Sequence, residues 1–234
     1  MRVSMMHAPP YIILEPGHAP SGSEPELLEA ILVQAGCKVE MLPTLPRRRR
    51  RLMFMAGDID VLMDVEATPE RAQYGWLTPP YRSEVVSLFT LASSPAANGV
   101  ALPSIESFDD LLSHKLRLIS QNLGWFGPGY AEALPKLQQA HLFTPYEGVA
   151  QGLTMLKAQR GEVLLADRQV ALHEAKRLGI ELKELPWSPS STPVRLWLSK
   201  KSVSEADAMT ISAAVQTLED RGVLKAIRNR WGVQ

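Results

Sequence analysis

Cysteine, long apolar runs and a leader sequence are the features that this chain most clearly has little of. Its 234 residues contain one cysteine, Cys37, so no internal disulfide can form. A single cysteine does not distinguish an oxidising from a reducing compartment. No apolar run approaches the ~18 residues that a membrane-spanning helix needs. The first residues, MRVSMMHAPPY, lack the apolar stretch of a signal peptide. Two interpretations remain: a cytoplasmic protein, or an exported one whose signal peptide has been removed.

The sequence also lacks the motifs of metal-dependent and covalent enzymes. It has no His-Glu-x-x-His, no paired cysteines and only five scattered histidines, which argues against a metal site. It has no Gly-x-Ser-x-Gly elbow and no P-loop, and Gly124-x-x-Gly127-x-Gly129 has the wrong order for a dinucleotide fingerprint. We therefore expect neither a cofactor nor a metal.

An excess of positive charge is missing too, although five arginines stand in a row at positions 47–51. The chain has 25 Lys and Arg against 25 Asp and Glu, for a formal net charge of zero. Nucleic-acid binders normally carry a basic excess, because neutralising phosphates supplies much of their affinity. In a helix each residue turns by ~100°, so five consecutive arginines surround the axis and form no single stripe. We expect no nucleic-acid partner.

Strand and helix patterns alternate along the chain. Short apolar runs predict strands at residues 2–6, 38–42, 59–63, 116–119, 162–166 and 194–198. Apolar stripes predict helices, one with Leu27, Leu28, Ile31, Leu32 and Ala35 and another with Val149, Leu153 and Leu156. Gly36 and Gly179 stand where such helices should end in left-handed caps. This alternation is typical of an α/β protein with mostly parallel strands.

Two turn-rich stretches, residues 88–98 and 187–193, predict the places where the chain passes between two lobes. A central segment inserted into a first domain requires two such crossings. We predict lobe 1 from residues 1–90 and 190–234, and lobe 2 from residues 91–189. Residues 204–231 should return to lobe 1 as helices.

A motif-rich segment then carries a family resemblance. Residues 57–71, GDIDVLMDVEATPER, are followed by LTPPY at 77–81. This order resembles the signature of family 3 bacterial extracellular solute-binding proteins: Gly-x-x-Asp, Thr-x-Glu-Arg and Ser/Thr-x-Pro-Tyr. Weaker matches follow the same order at residues 9–11, 21–32, 107–111, 167–172 and 218–231. The resemblance implies a two-lobed type II periplasmic-binding fold, in which helices flank a mostly parallel sheet in each lobe and two hinge crossings join the lobes.

The resemblance also implies ligand-binding residues. Arg71 matches the arginine that clamps the ligand α-carboxylate, a role that suits its planar, bidentate fork. Asp167 matches the aspartate that receives the α-ammonium, although it also stands where a helix N-cap would. Asn122 and Gly124 lie in a loop whose backbone N–H groups could hold an anion, or which is an ordinary turn. We predict that Arg71 and Asp167 grip opposite ends of the ligand.

Other candidates depart from the family pattern or extend it. Asp64 and Glu66 occupy positions where the family usually has small or hydroxyl residues. They either pair with arginines or favour a ligand with cationic groups. Arg49 matches a family motif arginine, and we expect at most two arginines of the run, Arg49 among them, to face the ligand cleft. His7 completes the candidate set.

The resemblance favours a non-enzymatic protein that binds a small polar solute, such as an amino acid, in the periplasm for ABC-type transport. Binding would close the two lobes about their hinge. A permease or a membrane sensor would read the closed state, and we expect a monomer. One alternative is a dehydratase-like enzyme of the same fold, with Glu66 or Asp64 as general acid. A second is binding to nucleic acid through the arginine run.

Overall fold

The computed structural model describes residues 1–92, 103–121 and 126–233, and contacts divide the chain into two units. Unit 1 comprises Met1–Glu84 and Thr192–Gln234, and unit 2 comprises Val85–Ser191. The chain passes between the units twice, within two long strands, β5 (Arg82–Leu91) and β10 (Ser190–Ser199). Helices and strands alternate in both units, so the predicted α/β fold class is confirmed.

Unit 1 contains a short sheet with helices attached. In chain order its elements are β1 (Arg2–Val3), α1 (Ser23–Gln34), β2 (Glu40–Met41), α2 (Arg47–Ala56), β3 (Val61–Glu66), α3 (Pro69–Tyr74), β4 (Gly75–Leu77), and, after unit 2, α8 (Glu205–Asp220) and α9 (Val223–Trp231). Strand β1 pairs in parallel with both β2 and β3. Strand β10 is antiparallel to β3 and to β4.

Local sequence explains where the helices of unit 1 begin and end. Helix α1 buries Leu27, Leu28, Ile31 and Leu32, the apolar stripe expected from the sequence. Helix α2 ends at Gly57, whose φ of 87° is left-handed and therefore suits glycine. Helix α3 begins with Thr68, whose side chain accepts a hydrogen bond from the backbone N–H of Arg71. The short α3 follows directly from the end of β3.

Unit 2 is a sheet with apolar clusters made by alternate residues of its strands. Its elements are α4 (Phe108–Ser113), β6 (Leu118–Gln121), α5 (Pro128–Gln139), β7 (Phe143–Tyr146), α6 (Val149–Lys157), β8 (Val163–Asp167), α7 (Arg168–Leu178) and β9 (Leu182–Glu184), together with part of β5. Strand β6 is parallel to β7 and β8, whereas β5 is antiparallel to β8 and β9. Val163 and Leu165 belong to one cluster and Leu164 and Ala166 to another, so both faces of the sheet are covered.

The predicted apolar runs agree with the structure in position more than in length, and the antiparallel β10 contains the run predicted at 194–198. Strands β3, β6 and β8 overlap the apolar runs predicted at 59–63, 116–119 and 162–166, with ends displaced by a few residues. The long strands β5 and β10 are antiparallel to their neighbours, β5 to β8 and β10 to β3. Parallel neighbours, in contrast, are joined by crossovers through a helix, as β6 and β7 are through α5. Residues 93–98 of the first predicted joint lie outside the described residues.

Asp60 ties the start of β3 to β1. The backbone N–H of Arg2 donates to Asp60 Oδ2 at 2.7 Å, and its guanidinium donates to Oδ1 at 2.6 Å. Burial by itself would raise the pKa of Asp60, but the hydrogen bonds from Arg2 outweigh it and hold this pKa below 3.8. A depressed carboxyl pKa stabilises the folded chain above the unfolded value, and this contribution is lost as the pH falls through the folded pKa.

Asp60→Asn is therefore expected to lower the melting temperature at neutral pH, and this loss in melting temperature should become smaller in acid. The difference from the unaltered protein should begin to shrink as the pH falls below about 3.8 and should close once the pH is below the lowered pKa of the folded state, because Asp60 is then protonated in both states. Thermal melting across this pH range measures it. The exposed Asp58→Asn is the control, and a deficit independent of pH would contradict the assignment.

Candidate functional site

A pocket of ≈ 610 Å³ lies within unit 1, between α2, β3 and α3. This volume is in the range of small-molecule sites, ~300–1,000 Å³. Its lining residues come from two helices, α2 and α3, and two strands, β3 and β10: Arg48, Arg50, Arg51, Leu62, Met63, Asp64, Val65, Arg71 and Trp197. The pocket therefore combines several guanidinium groups with an apolar wall.

Arg71, the predicted carboxylate clamp, lines this pocket and is held at three atoms. Its backbone N–H donates to Thr68 Oγ1 at 3.3 Å, and its carbonyl accepts a hydrogen bond from Trp197 Nε1 at 2.9 Å. Its guanidinium Nη1 donates to the carbonyl oxygen of Glu66 at 2.7 Å. These contacts satisfy one of the guanidinium donors and leave the fork with further donors for a ligand.

Trp197 can reach the backbone of α3 only because Gly75 has no side chain. A Cβ at Gly75 would collide with Trp197 Nε1. The indole also lies against Phe54, with ring centroids 4.2 Å apart, and forms a buried cluster with Leu62 and Val65. This cluster is the apolar wall of the pocket.

The arginine run contributes three residues to the pocket lining, whereas at most two were expected to face the ligand cleft. Arg50 Nη1 donates to the carbonyl oxygen of Ser4 at 3.4 Å, and Arg51 forms an ion pair with Glu70 at 2.6 Å. Arg48 is exposed and lines the pocket as well. Arg49, the residue that the sequence favoured, is exposed and is absent from this lining set of described residues.

The sequence suggested that Asp64 could pair with the arginine run, and the structure places it against a different arginine, Arg82. Its carboxylate accepts a hydrogen bond from Arg82 Nη2 at 2.6 Å, and its backbone N–H donates to the Tyr81 hydroxyl at 3.0 Å. Its φ of 60° is left-handed, an uncommon conformation for a residue with a side chain. The carboxylate is thus turned towards a buried cation that sequence analysis missed.

Arg82 is the centre of a buried charge network at the start of β5. Its guanidinium contacts the carboxylate of Glu24 as well as that of Asp64, and it lies 4.3 Å from the ring centroid of Tyr11. The Tyr81 hydroxyl donates to Glu24 Oε2 at 2.5 Å. Only 4% of Arg82 and 1% of Glu24 are exposed. Charges this deep in a protein require such partners.

Burial and neighbouring charges shift the pKa values of this network. Burial raises the pKa of Glu24, against the lowering effect of Arg82. Burial would lower the pKa of Arg82, but the carboxylates of Glu24 and Asp64 outweigh it and raise this pKa well above its usual value. Burial and the Glu24 carboxylate also raise the pKa of Tyr81 well above 10.0, which keeps its hydroxyl a hydrogen-bond donor.

Gly22 allows the N-terminus of α1 to bring Glu24 into this network. Its φ of 117° is accessible to glycine, and a Cβ there would collide with the Tyr11 carbonyl oxygen. The same carbonyl accepts a hydrogen bond from the Glu24 backbone N–H at 3.0 Å. The N-terminus of α1 therefore brings the Glu24 carboxylate to Arg82, whose guanidinium also contacts the pocket residue Asp64.

The other predicted residues lie elsewhere. His7 is exposed, and its Nδ1 accepts a hydrogen bond from the Leu14 backbone N–H at 3.1 Å. Asp167 ends β8 in unit 2 and caps α7, where it accepts from the Val170 N–H at 2.8 Å. The N-cap that the sequence offered as one reading of Asp167 is present, and its role towards a ligand stays a prediction. Asn122 and Gly124 lie outside the described residues.

The site residues that sequence reasoning missed are Arg82 and Trp197. Arg82 directly follows the Pro-Tyr motif and opens an apolar strand, so a charged residue entering a buried strand was the available signal. Trp197 lies in the apolar run predicted at 194–198, and no local signal distinguishes it from an ordinary core residue.

Within the described ranges, no group of three or more His, Cys, Asp and Glu side chains has an arrangement suited to a metal ion. No helix in those ranges is long and apolar enough to cross a membrane.

A sequence profile of the bacterial extracellular solute-binding proteins, family 3, matches residues 1–234. A search of curated proteins finds no significant match.

Solved structures share the fold at low identity. A probable amino-acid ABC transporter extracellular-binding protein from Bacillus subtilis is 15% identical with a TM-score of 0.74, covering 98% of this chain and 94% of that one. An ancestral cationic amino acid solute-binding protein is 19% identical with a TM-score of 0.71, covering 95% and 90%. A second structure of that ancestor describes it as a precursor of cyclohexadienyl dehydratase. A histidine kinase sensor domain is 19% identical with a TM-score of 0.66, covering 95% and 91%. These similarities confirm the periplasmic-binding type of fold.

Proposed function

We propose, because the chain belongs to the bacterial extracellular solute-binding proteins of family 3, that it binds a small polar solute, an amino acid or a related compound. The observation that carries the proposal is the position of Arg71 in a pocket of ≈ 610 Å³. Its guanidinium retains donors for a carboxylate, and Thr68 and Trp197 hold its backbone in place. A preformed cation in a concave site is what recognition of a carboxylate requires.

Hinge closure would complete the site. Arg71 belongs to unit 1 and Asp167 to unit 2, and the chain connects the units twice. We propose that Arg71 receives the solute carboxylate and that Asp167 receives its ammonium when the units close. Closure driven by contacts that exist only in the closed state is a population shift, so the solute must stabilise that state.

Transport through an ABC permease in the periplasm is the role that we propose for the closed state. The family is described as extracellular, and one similar structure is described as a probable ABC transporter binding protein. Sensing is the second role, favoured by the similarity to a histidine kinase sensor domain. In either role the chain would act as a monomer that presents its closed form to a membrane partner.

A lyase activity is the less favoured alternative. It would need Asp64 or Glu66 as a general acid, and a similar protein is described as a dehydratase precursor. However, the Asp64 carboxylate accepts a hydrogen bond from Arg82 Nη2 at 2.6 Å, which leaves it less available to a substrate. We therefore propose a binding protein without turnover.

A thermal-shift screen with amino acids, polyamines and small carboxylates is expected to reveal at least one stabilising solute. Binding to the folded state alone stabilises by RT ln(1 + [L]/Kd), about 2.7 kcal/mol at a concentration 100 times Kd. Calorimetry on each solute found then gives the stoichiometry, expected to be one per chain. A protein that no solute in this panel stabilises, or a bound solute that is chemically converted, would contradict the proposal.

A further inference from the structure

The pocket of unit 1 has more positive charge than one carboxylate requires. Four arginines line it, Arg48, Arg50, Arg51 and Arg71, and they stand against a single lining carboxylate, that of Asp64. The Arg82 guanidinium already engages Asp64 at 2.6 Å. Arg82 also pairs with Glu24, so its single charge is shared between two carboxylates. Even counted in full, the carboxylate of Asp64 offsets only one of the four lining guanidinium charges.

The remaining ion pairs leave part of this charge uncompensated. Arg51 pairs with Glu70, in a contact of 2.6 Å with both side chains largely exposed. Neither Arg48 nor Arg71 has a carboxylate at ion-pair distance within the part of the chain that the structure describes. At least two guanidinium groups of the lining are thus available to anions.

The placement of the arginines is unfavourable for the stability of α2 itself. They occupy the helix start, where the macrodipole favours negative side chains, and the first turn contains no acidic residue. Arg48 and Arg51 are three positions apart, a spacing at which like charges repel. A bound polyanion would relieve both effects, whereas a neutral or cationic solute would not.

The apolar wall of the pocket indicates a ligand with a carbon skeleton and not a bare inorganic ion. Leu62, Val65 and Trp197 line it and belong to one buried apolar cluster. A carbon skeleton can contact this wall while its anionic groups face the arginines. The pocket thus has the two kinds of surface that an organic anion needs.

From these observations we infer that the solute carries at least two anionic groups, carboxylate or phosphate, on a small carbon skeleton. The inference rests on the proposed function and narrows its ligand class. Arg71 binds one anionic group, and Arg48, with its neighbours on α2, binds the second. A guanidinium suits both a carboxylate and a phosphate oxygen pair, and matched probes distinguish the two.

Three pairs of probes differ by one anionic group each: L-glutamate and L-glutamine, succinate and succinamate, and O-phospho-L-serine and L-serine. L-Lysine serves as the cationic probe. Calorimetry at physiological salt is expected to show that the more anionic member of at least one pair binds about tenfold more tightly or better. The pair with the largest difference identifies the second group as carboxylate or phosphate.

Arg48→Gln removes one lining charge and is expected to reduce the preference for the more anionic probe by about tenfold or more. The solute-free variant should melt at the same temperature or higher, because a repelling charge at the start of α2 is removed. Arg221→Gln is the matched control, because Arg221 is an exposed arginine of unit 1 at the C-cap of α8. It should retain the preference. An equal loss in Arg49→Gln would show that net charge on α2, and not contact within the pocket, is responsible, and it would overturn the inference.

Further outcomes separate this inference from the proposed function. Tight binding of glutamine, serine or lysine, equal to that of the anions, would overturn the inference and leave solute binding intact. If none of the seven probes binds, the inference is overturned, and the wider solute screen decides the proposed function separately. Tight binding of a duplex DNA oligonucleotide that Arg48→Gln abolishes, without selectivity among the small anions, would assign the arginines to a nucleic acid instead.

Discussion

Arg71→Ala is expected to weaken binding of the tightest solute from the screen by about 2–5 kcal/mol, the loss typical of truncating one side of a buried, hydrogen-bonded charge pair. The loss arises because alanine removes the bidentate fork of this guanidinium, and the other lining arginines lie on a different element, α2. The backbone contacts of Arg71 with Thr68 and Trp197 do not involve its side chain, so α3 should keep its place. Calorimetry measures the change in Kd.

Arg71→Lys is the informative control for this prediction. Lysine keeps the positive charge but loses the planar fork, so it should recover only part of the affinity. Asp167→Ala should weaken binding of an amino acid through its ammonium and have little effect on a solute without one. Unchanged affinity in both Arg71→Ala and Asp167→Ala would refute the proposed roles of the two residues.

Arg82→Met is expected to lower the free energy of unfolding by about 3–5 kcal/mol, because it leaves the buried carboxylate of Glu24 without its cation. Both side chains of this pair are 1% exposed, so water cannot replace the lost partner. Tyr81 would still donate to Glu24, but one neutral hydrogen bond does not compensate a buried charge. Urea unfolding followed by circular dichroism measures the change.

Two further variants establish whether the buried network is the cause. The double variant Glu24→Met/Arg82→Met should lose less free energy of unfolding than the sum of the losses in the two single variants, because it leaves neither member of this pair buried without its partner. Arg177→Met, which breaks an ion pair at the surface of unit 2, should cost no more than about 1 kcal/mol. A loss at Arg82 as small as that at Arg177 would show that the network contributes little to stability.

The fold class could be predicted from the sequence, and so could one residue of the pocket lining. The Thr-x-Glu-Arg motif identified Arg71, and the structure places it in the pocket at the start of α3. Helix α1 follows the apolar stripe that begins at Leu27, because helical periodicity and caps are local properties. Element ends were less accurate, since they depend on neighbouring strands and loops: β3 is Val61–Glu66, not 59–63.

The partners of the charged residues could not be predicted. Asp64 appeared to lie beside the arginine run, 13 or more positions along the chain, but it pairs with Arg82 instead. Within the run, the motif favoured Arg49, whereas the lining set contains Arg48, Arg50 and Arg51. Sequence spacing says which residues share a helix, but long arginine side chains reach whichever carbonyls and carboxylates other elements present.

Local chemistry and pattern, which neighbouring residues carry, were thus enough to predict the α/β fold and the solute-binding family, and to select Arg71 as the candidate ligand for a carboxylate. Only the tertiary structure decided that Arg71 is held by Trp197, 126 positions later in the chain, and that Glu24 and Arg82 meet in the core. Such contacts form between segments that the sequence separates widely, and their energies depend on burial, which raises the strength of a charge pair and the cost of an unpaired charge together. The net charge of the pocket depends on that three-dimensional arrangement, which lines it with three arginines of α2 and Arg71 but with a single carboxylate, that of Asp64.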